Sequence, residues 1–232
     1  VKGADLVDSK GNKFQLRGIS THGINWDVGS PYVNKKAFKT LRDDWGVNAI
    51  RLAMYTEEYN GYCSSGSQAK LRKQVDKGVG YATDLGMYAI IDWHILSDGN
   101  PNKNKSQAKK FFTTMAKKYK NNKNVIYEIC NEPNGCSWKE IKSYATDIIK
   151  TIRKYDKKAV IIVGTPTWSQ LGTDGTSNEV ADSPIKGYKN IMYSLHFYAS
   201  EWAHNEYLPA KVAYARKKKL PIIVSEFGLS PA

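Results

Sequence analysis

The fold is decided by the stretch Asn124-Val125-Ile126-Tyr127-Glu128-Ile129-Cys130-Asn131-Glu132-Pro133-Asn134. Its first half is apolar and β-branched, which predicts a short buried strand over Val125 to Ile129. Proline cannot continue a ladder of hydrogen bonds, so the strand ends before Pro133 and presents Asn131 and Glu132 at its carboxyl end. In α/β proteins, that end of a strand is where ligands bind.

A second strand later in the chain ends in the same way. The stretch Ile222-Ile223-Val224-Ser225-Glu226-Phe227-Gly228 again places a carboxylic acid after an apolar run. One strand that ends in an acid is common and proves little. Two of them predict a pair of carboxyl groups, Glu132 and Glu226, that face one cleft.

Strands and helices alternate along the whole chain. Apolar strands begin at Phe14, Ala49, Tyr88, Val125, Val160, Ile191 and Ile222. This alternation indicates a single α/β domain, residues 1–232, with a parallel sheet. The loop after the first strand has neither a GxGxxG nor a Walker A pattern, which argues against an open nucleotide-binding sheet. Polar groups follow nearly every strand, which favours a (β/α)8 TIM barrel.

This barrel is expected to be incomplete. Seven strands and six helices are visible, whereas a closed barrel has eight of each, so the eighth unit is missing. Completing it would take roughly 50 to 60 more residues, since a full barrel has about 250. An open barrel exposes two strand edges and an apolar wall. We therefore expect the gap to be filled by another segment or by a second copy of the chain, as a homo-oligomer.

Charge and hydropathy indicate which kinds of binding partner are expected for this protein. The formal net charge is +13, with the excess in Lys-rich pieces such as 109–110, 117–118 and 216–219. These pieces are typical of solvated helix faces, and no nucleic-acid-binding motif accompanies them, so no nucleic-acid partner is expected. No run of 18 apolar residues occurs, so no membrane partner is expected. No secretory leader opens the given sequence, but this does not exclude export, and we expect a secreted protein.

The three cysteines give no metal or redox motif. Cys63, Cys130 and Cys136 form no CxxC pair and lack zinc-ligand spacing. A bridge between Cys130 and Cys136 is conceivable, but free thiols are favoured.

The predicted strand ends carry an unusual set of polar and aromatic groups. They are His22, Arg51, His94, Asn131, Glu132, Trp168, His196, Tyr198 and Glu226. Any one of these could be a structural polar group, but nine together predict a site. Glycosidic cleavage uses two carboxyls, one as acid and one as nucleophile or base. A nearby arginine would keep one carboxyl ionised, while the other, in a less charged setting, keeps its proton.

The same groups allow a competing interpretation as metal ligands. That set would comprise His22, His94, His196, Asp92 and Glu226. Metal-dependent barrel hydrolases often carry His-x-His after the first strand, whereas this chain has His22 followed by Gly23 and Ile24. We therefore expect no metal and no organic cofactor.

Seven stretches at the strand ends carry a family resemblance. They are Leu16-Arg17-Gly18-Ile19-Ser20-Thr21-His22-Gly23, Asn48-Ala49-Ile50-Arg51, Asp92-Trp93-His94, Ile129-Cys130-Asn131-Glu132-Pro133, Gly164-Thr165-Pro166-Thr167-Trp168-Ser169-Gln170, Leu195-His196-Phe197-Tyr198-Ala199 and Ser225-Glu226-Phe227-Gly228. Together, and in this order, they resemble glycoside hydrolase family 5, most of all its bacterial endoglucanase (cellulase) branch. The resemblance covers nearly the whole chain.

The resemblance implies endo-acting hydrolysis of β-1,4-glucosidic bonds in cellulose or β-glucan, by a retaining double displacement. Glu132 would be the acid/base and Glu226 the nucleophile. Arg51 and Tyr198 would flank Glu226, and Asn131 would hold a sugar 2-hydroxyl. The remaining roles follow as a set: His94 and His196 would line the same subsite, and His22, Asn25, Trp26 and Trp168 would shape neighbouring sugar sites. Asp92 and Trp93 are assigned no firm role.

One departure from the family opens an alternative. The family places a tryptophan at the end of its eighth strand, under the reacting sugar, and this sequence does not reach that position. A non-catalytic β-glucan-binding remnant is therefore the second hypothesis. A related β-mannanase or xyloglucanase is a further alternative, because loops set the choice of polysaccharide and the loop over 167–189 has no readable preference.

Overall fold

The computed structural model describes residues 1–230 and contains one parallel sheet of seven strands in sequence order. The strands are β1 (Gly18–Ser20), β2 (Ala49–Tyr55), β3 (Tyr88–His94), β4 (Val125–Glu128), β5 (Ile161–Val163), β6 (Ile191–Tyr198) and β7 (Ile222–Gly228). Each strand pairs in parallel with the next one along the chain. The predicted barrel wall is confirmed, with β1 and β7 at its two edges.

Helices follow the strands on the outside of this wall. The long ones are α1 (Lys35–Trp45), α2 (Gln68–Asp84), α3 (Lys105–Tyr119), α4 (Trp138–Arg153) and α5 (Trp202–Lys217). The chain between β5 and β6, predicted as a polar loop, contains two four-residue helical segments, Pro166–Ser169 and Glu179–Asp182. The described residues therefore have five long helices and not the six expected. This region is rich in Gly, Ser, Thr and Asp, residues that favour turns over a helix with an apolar face.

Helix ends follow the local signals in the sequence. The Asn34 side chain accepts a hydrogen bond from the Ala37 backbone N–H, and Gly46 ends α1 in the left-handed conformation at φ 67°. Ser137 and Glu140 form a reciprocal capping box at the start of α4. Each such cap stabilises its helix by about 1 kcal/mol, which holds the helices in register with the strands.

Alternation along the strands sorts side chains into two layers inside the barrel. Side chains two residues apart in a strand share a face, so Ile90 and Asp92 of β3 both point inward, as do Ile126 and Glu128 of β4. The lower layer is apolar and contains Ile90, Ile126, Ile162 and Met192, against which Val1, Leu6 and Leu16 pack. The N-terminal segment therefore covers this end of the barrel, and the upper layer is polar.

The two edges of the wall are exposed. All three residues of β1 are exposed, and β7 has no buried residue. Phe227 in β7 is 66% exposed and stacks only on Phe197, with 5.6 Å between the ring centroids. The main apolar core lies instead between β2 to β6 and the helices outside them. The structure therefore has a well-packed centre and an unfinished seam between β7 and β1.

Candidate active site

Arg51 organises the polar layer from its place on β2. Its Nε donates to Glu128 Oε2 at 2.7 Å, and its Nη1 donates to Glu226 Oε2 at 3.0 Å. Its Nη2 donates to Asn131 Oδ1 at 2.5 Å and lies 3.1 Å from Asp92 Oδ2. A buried arginine requires carboxylate partners, and the prediction that Arg51 has one is confirmed three times over.

Glu226 is held in its ionised form. Burial raises the pKa of this carboxyl, but the positive charge of Arg51 is the largest of the effects that lower it. The Tyr198 hydroxyl also donates to Glu226 Oε1, and the pKa of Glu226 falls to about 2. Burial and the facing Glu226 carboxylate raise the pKa of Tyr198, so this phenol stays protonated and keeps donating. Glu226 is thus an ionised carboxylate.

The two other carboxyls beside Arg51 differ in their environment. Burial raises the pKa of Glu128, but Arg51 and a donated hydrogen bond from Ser225 lower it more, so the net shift is downward. Burial raises the pKa of Asp92 and this effect prevails, in keeping with its Oδ1, which has no hydrogen-bond partner. Glu128 is therefore a fixed buried anion.

Replacing Arg51 tests this arrangement. In Arg51→Met, the buried carboxyls lose their shared cation, and we expect the free energy of unfolding to fall by about 3–5 kcal/mol at pH 7. Arg51 depresses the folded-state pKa of Glu226 to about 2, so its stabilisation is complete above the ordinary value of 4.5 and is lost as pH falls towards 2. The deficit, measured by urea unfolding, should shrink between pH 5 and pH 3. A deficit that stays constant across this range would show that charge pairing is not its cause.

Glu132 occupies a different environment from Glu226, although it lies close to it. Its Oε1 is 2.8 Å from His196 Nδ1, and among the described residues no lysine or arginine pairs with it. One ligand atom from each of Glu132, His196 and Glu226 lies within 4.8 Å of the others. This limit is compatible with the roughly 5 Å between the carboxyls of retaining glycosidases and is shorter than the roughly 6.5–9.5 Å of inverting ones. The carboxyl pair expected from the two strand ends is brought together.

The competing metal set is not assembled. Within residues 1–230, the trio that geometry would allow to hold a metal is Glu132, His196 and Glu226. This trio shares only His196 and Glu226 with the set considered from the sequence. His94 is instead tied to Asp92 Oδ2, which lies 2.6 Å from its Nδ1.

Asn131 is fixed from both sides of its amide. Its Oδ1 accepts from Arg51 Nη2, and its Nδ2 donates to the Ile95 carbonyl at 3.1 Å. The same Nδ2 is 3.1 Å from His94 Nε2, so this ring nitrogen accepts, while Nδ1 donates to Asp92. The orientation of the amide next to Glu132 is therefore set by the protein before any sugar arrives.

A cleft of about 460 Å³ lies over these groups. It is lined by Tyr55, His94, Leu96, Glu132, Trp168, Gln170, His196, Tyr198, Glu201, His204 and Glu226. Sequence reasoning missed Tyr55, Leu96, Gln170, Glu201 and His204. Tyr55 was findable, since it ends β2 just as His94 ends β3, and the two rings lie 4.0 Å apart. The cleft joins the carboxyl pair to an aromatic wall suited to a sugar chain.

The four residues predicted to bind neighbouring sugars occupy different places. Trp168 lines the cleft and is 44% exposed. Trp26 and His22 stack beside Tyr55, next to the cleft wall. Both amide hydrogens of Asn25 are used by the backbone carbonyls of residues 55 and 60. Asn25 thus holds the loops of this rim in place, and its contact with sugar stays a prediction.

Trp168 sits on a strained turn. Thr167, Trp168 and Ser169 have φ of 57°, 52° and 62°, a region that residues other than glycine rarely adopt. The Ser169 hydroxyl donates to the Asn131 carbonyl at 2.7 Å, and the Trp168 N–H donates to the Pro133 carbonyl at 3.1 Å. These bonds tie the turn to the end of β4 and aim the exposed indole into the cleft.

Removing the Tyr198 hydroxyl should shift the pH dependence of any reaction that uses Glu226 as an anion. Tyr198→Phe removes one donor to the carboxylate, so the pKa of Glu226 rises from about 2, by about one pH unit for a hydrogen bond to a charged group. We expect the acidic limb of kcat/KM to move to higher pH. The check is the ratio of kcat/KM at pH 3 to that at pH 6, which should fall roughly twofold as the ionised fraction of Glu226 at pH 3 drops. An unchanged ratio would exclude Tyr198 from this role.

The buried Glu132 and the half-buried Glu226 lie close together at the carboxyl ends of a parallel barrel wall, which is the arrangement of a glycoside hydrolase catalytic domain. The family model for Cellulase (glycosyl hydrolase family 5) matches residues 7–232. The chain belongs to glycosyl hydrolase family 5.

Its relatives are bacterial endoglucanases. Endoglucanase A of Butyrivibrio fibrisolvens is 48% identical over 235 residues, which span 100% of this chain and 52% of the relative. An endoglucanase of Clostridium saccharobutylicum is 51% identical, over 100% of this chain and 49% of the relative. The structure of a Thermobifida fusca endoglucanase catalytic domain variant in complex with cellotetraose aligns with a TM-score of 0.87 at 41% identity, covering 98% of this chain and 72% of that one. The chain spans about half the length of the curated relatives it matches.

Proposed function

We propose that this chain carries the catalytic machinery of an endo-acting β-1,4-glucanase that retains the anomeric configuration. The observation that carries the proposal is the approach of Glu132 and Glu226 to within 4.8 Å through their nearest ligand atoms. The family membership and the endoglucanase relatives support β-glucan as the substrate class.

The geometry supports a two-step displacement. In the first step, Glu226 Oε attacks the anomeric carbon, Glu132 gives its proton to the departing glycosidic oxygen, and the C–O bond to the leaving sugar breaks. In the second step, Glu132, now a carboxylate, takes a proton from a water molecule. That water displaces Glu226 from the anomeric carbon, so two inversions give net retention. Asn131, with its orientation fixed by Arg51, is positioned to bond the sugar 2-hydroxyl.

Release of reducing ends from a panel of polysaccharides tests the proposal. The panel comprises carboxymethylcellulose, mixed-linkage β-glucan, xyloglucan and mannan, with Glu132→Gln and Glu226→Gln as matched inactive controls. We expect activity on the first two substrates, with products that NMR shows first as β-anomers, and no loss in EDTA. Binding of β-glucan without product would favour the non-catalytic remnant. Preferred cleavage of mannan or xyloglucan would reassign the substrate.

The seam between β7 and β1 supports a proposal about assembly. Unpaired strand edges and exposed apolar side chains such as Phe227 and Leu229, 66% and 79% exposed, favour association. A second copy of the chain offers matching edges, so we propose that the 232-residue chain self-associates along this seam. Light scattering should show a dimer or larger species, and Phe227→Lys should weaken it. A monodisperse monomer that binds no hydrophobic dye would contradict this.

The size of the proposed β-glucan substrate indicates where in or outside the cell the protein acts. A β-glucan polymer does not enter cells, so a protein that hydrolyses it acts outside them, and we propose that the protein is secreted. No helix within the described residues is long and apolar enough to span a membrane. Activity found in extracts of washed cells and absent from the culture fluid would contradict the proposal.

A further inference from the structure

Glu128 is a buried carboxylate that the proposed reaction does not use. It is the last residue of β4, four residues before Glu132, and none of its side chain is exposed. Its Oε2 accepts from Arg51 Nε at 2.7 Å, and its Oε1 accepts from the Ser225 hydroxyl at 2.6 Å. Both oxygens are therefore acceptors, as suits an ionised group next to a guanidinium.

Ser225 reaches the interior because of a β-bulge. Neighbours in a strand normally face opposite sides, yet Ser225 and Glu226 both point into the site. The pairing of β6 with β7 explains this, since Leu195 pairs with Val224 but His196 pairs with Glu226, which leaves Ser225 as the extra residue. Bulges re-aim side chains in this way near active sites.

Ser225 then determines which nitrogen of His196 carries a proton. A hydroxyl has one hydrogen, and Ser225 gives its hydrogen to Glu128, so its oxygen can only accept from His196 Nε2, 2.9 Å away. The Ser194 hydroxyl lies 3.1 Å from the same nitrogen and is hydrogen-bonded to Ser225 Oγ. Because the Ser225 hydrogen is given to Glu128, Ser194 donates to Ser225, and its oxygen can only accept from Nε2. Both serines therefore favour a proton on Nε2.

The protonation of His196 Nε2 determines the protonation of the contact between His196 and Glu132. With Nε2 already protonated, the 2.8 Å contact between His196 Nδ1 and Glu132 Oε1 requires one further proton. That proton is shared by the pair and is the one that a leaving group would receive. In the opposite tautomer, Nδ1–H would donate to an ionised Glu132, and the pair would hold no acid proton to give.

We propose that Glu128 is a positioning residue that, through Ser225, places a proton on His196 Nε2 and so keeps the general-acid proton between His196 and Glu132. The proposal rests on the proposed function, since it names what prepares Glu132 for its role. It also links the two sides of the site, because Glu128 binds the same Arg51 that holds Glu226.

Glu128→Gln should reverse the tautomer. Arg51 Nε needs an acceptor, so the amide oxygen would turn to Arg51 and the amide N–H would donate to Ser225. The Ser225 hydrogen would then point at His196 Nε2, which becomes an acceptor, and the ring proton moves to Nδ1, facing Glu132.

The tautomer is tested directly by NMR of ¹⁵N-histidine-labelled protein, with His196 assigned through its backbone resonances. We expect Nε2 to be protonated in the unaltered protein and unprotonated in Glu128→Gln. An unprotonated Nε2 in the unaltered protein would overturn the proposal without any need for a folded variant. This readout is independent of activity, so a protein with the expected tautomer that hydrolyses no glucan would refute the proposed function alone.

Leaving-group dependence supplies the kinetic test. In Glu128→Gln, kcat/KM should fall about 10²-fold, the lower end for general-acid catalysis, on methylumbelliferyl β-cellobioside, whose leaving group needs a proton. On dinitrophenyl β-cellobioside, which leaves without one, the fall should be less than about tenfold. The matched control is Glu206→Gln, an exposed residue of α5, with no expected change. Equal losses on both substrates would show a merely structural role and overturn the proposal.

Discussion

Glu226→Ala is expected to lower kcat/KM on β-glucan by roughly 10⁵-fold, the lower end of the effective molarity of a well-placed reacting group. The reason is that Glu226, whose pKa lies at about 2 and which is held by Arg51 and Tyr198, is the proposed nucleophile. Without it, no covalent intermediate forms. The rate is measured as reducing ends released per enzyme, at enzyme concentrations high enough to detect the residual activity.

Azide distinguishes this loss from misfolding. The space vacated by the Glu226 side chain admits a small anion on the face opposite the leaving group. Added azide should therefore restore turnover of an activated β-cellobioside in Glu226→Ala and give the α-azide, after a single inversion. A β-azide product, or a variant that keeps most of its β-glucan activity, would contradict the assignment of Glu226 as the nucleophile.

Glu132→Ala is expected to be almost as damaging on natural substrates, with a loss of about 10²–10⁴-fold in kcat/KM. In the proposed reaction, Glu132 gives its proton to the departing sugar and later takes one from water, so its loss slows both steps. A dinitrophenyl glycoside should still react in the first step, because its leaving group needs no proton. Kinetics of this variant should show a burst of dinitrophenol followed by a slow steady state.

Azide gives the opposite product in this second variant. The intermediate on Glu226 forms normally, and azide, which needs no general base, replaces water in the second step. The product should be the β-azide, after two inversions. An α-azide from Glu132→Ala would mean that the roles of the two carboxyls are exchanged.

Much of the fold followed from local signals in the sequence. Asn34, Gly46 and Ser137 mark helix ends through their own backbone and side-chain chemistry, and the structure places the ends there. The bounds of the edge strand β1 were predicted wrongly: a strand was expected to begin at Phe14, whereas β1 comprises only Gly18–Ser20. An edge strand has a single partner, so its length depends on that partner and not on its own residues.

Part of the candidate site could also be predicted from the sequence. Glu132 and Glu226 could be paired because the carboxyl ends of parallel strands meet at one end of a barrel. Arg51 could be assigned a carboxylate partner because a buried guanidinium requires one, but its three partners depend on the register of β3 and β4.

The remaining site residues depend on tertiary contacts that cannot be predicted from the sequence. Glu128 reads as one polar residue within an apolar strand, and only the alternation of inward faces brings it under Arg51. Ser225 faces inward only because of the bulge, which no two-residue period predicts. His204 belongs to α5, where its Nδ1 accepts from the Tyr198 backbone N–H at 3.0 Å, a contact between elements that the sequence alone does not predict.

Trapping of the covalent intermediate tests the central claim most directly. A dinitrophenyl 2-deoxy-2-fluoro-β-cellobioside should inactivate the protein, because the fluorine slows the second step more than the good leaving group slows the first. Peptide mass spectrometry should then find one cellobiosyl adduct, on Glu226, and Glu132→Ala should still be labelled. An adduct on another residue, or turnover with no adduct and an inverted product, would contradict the account.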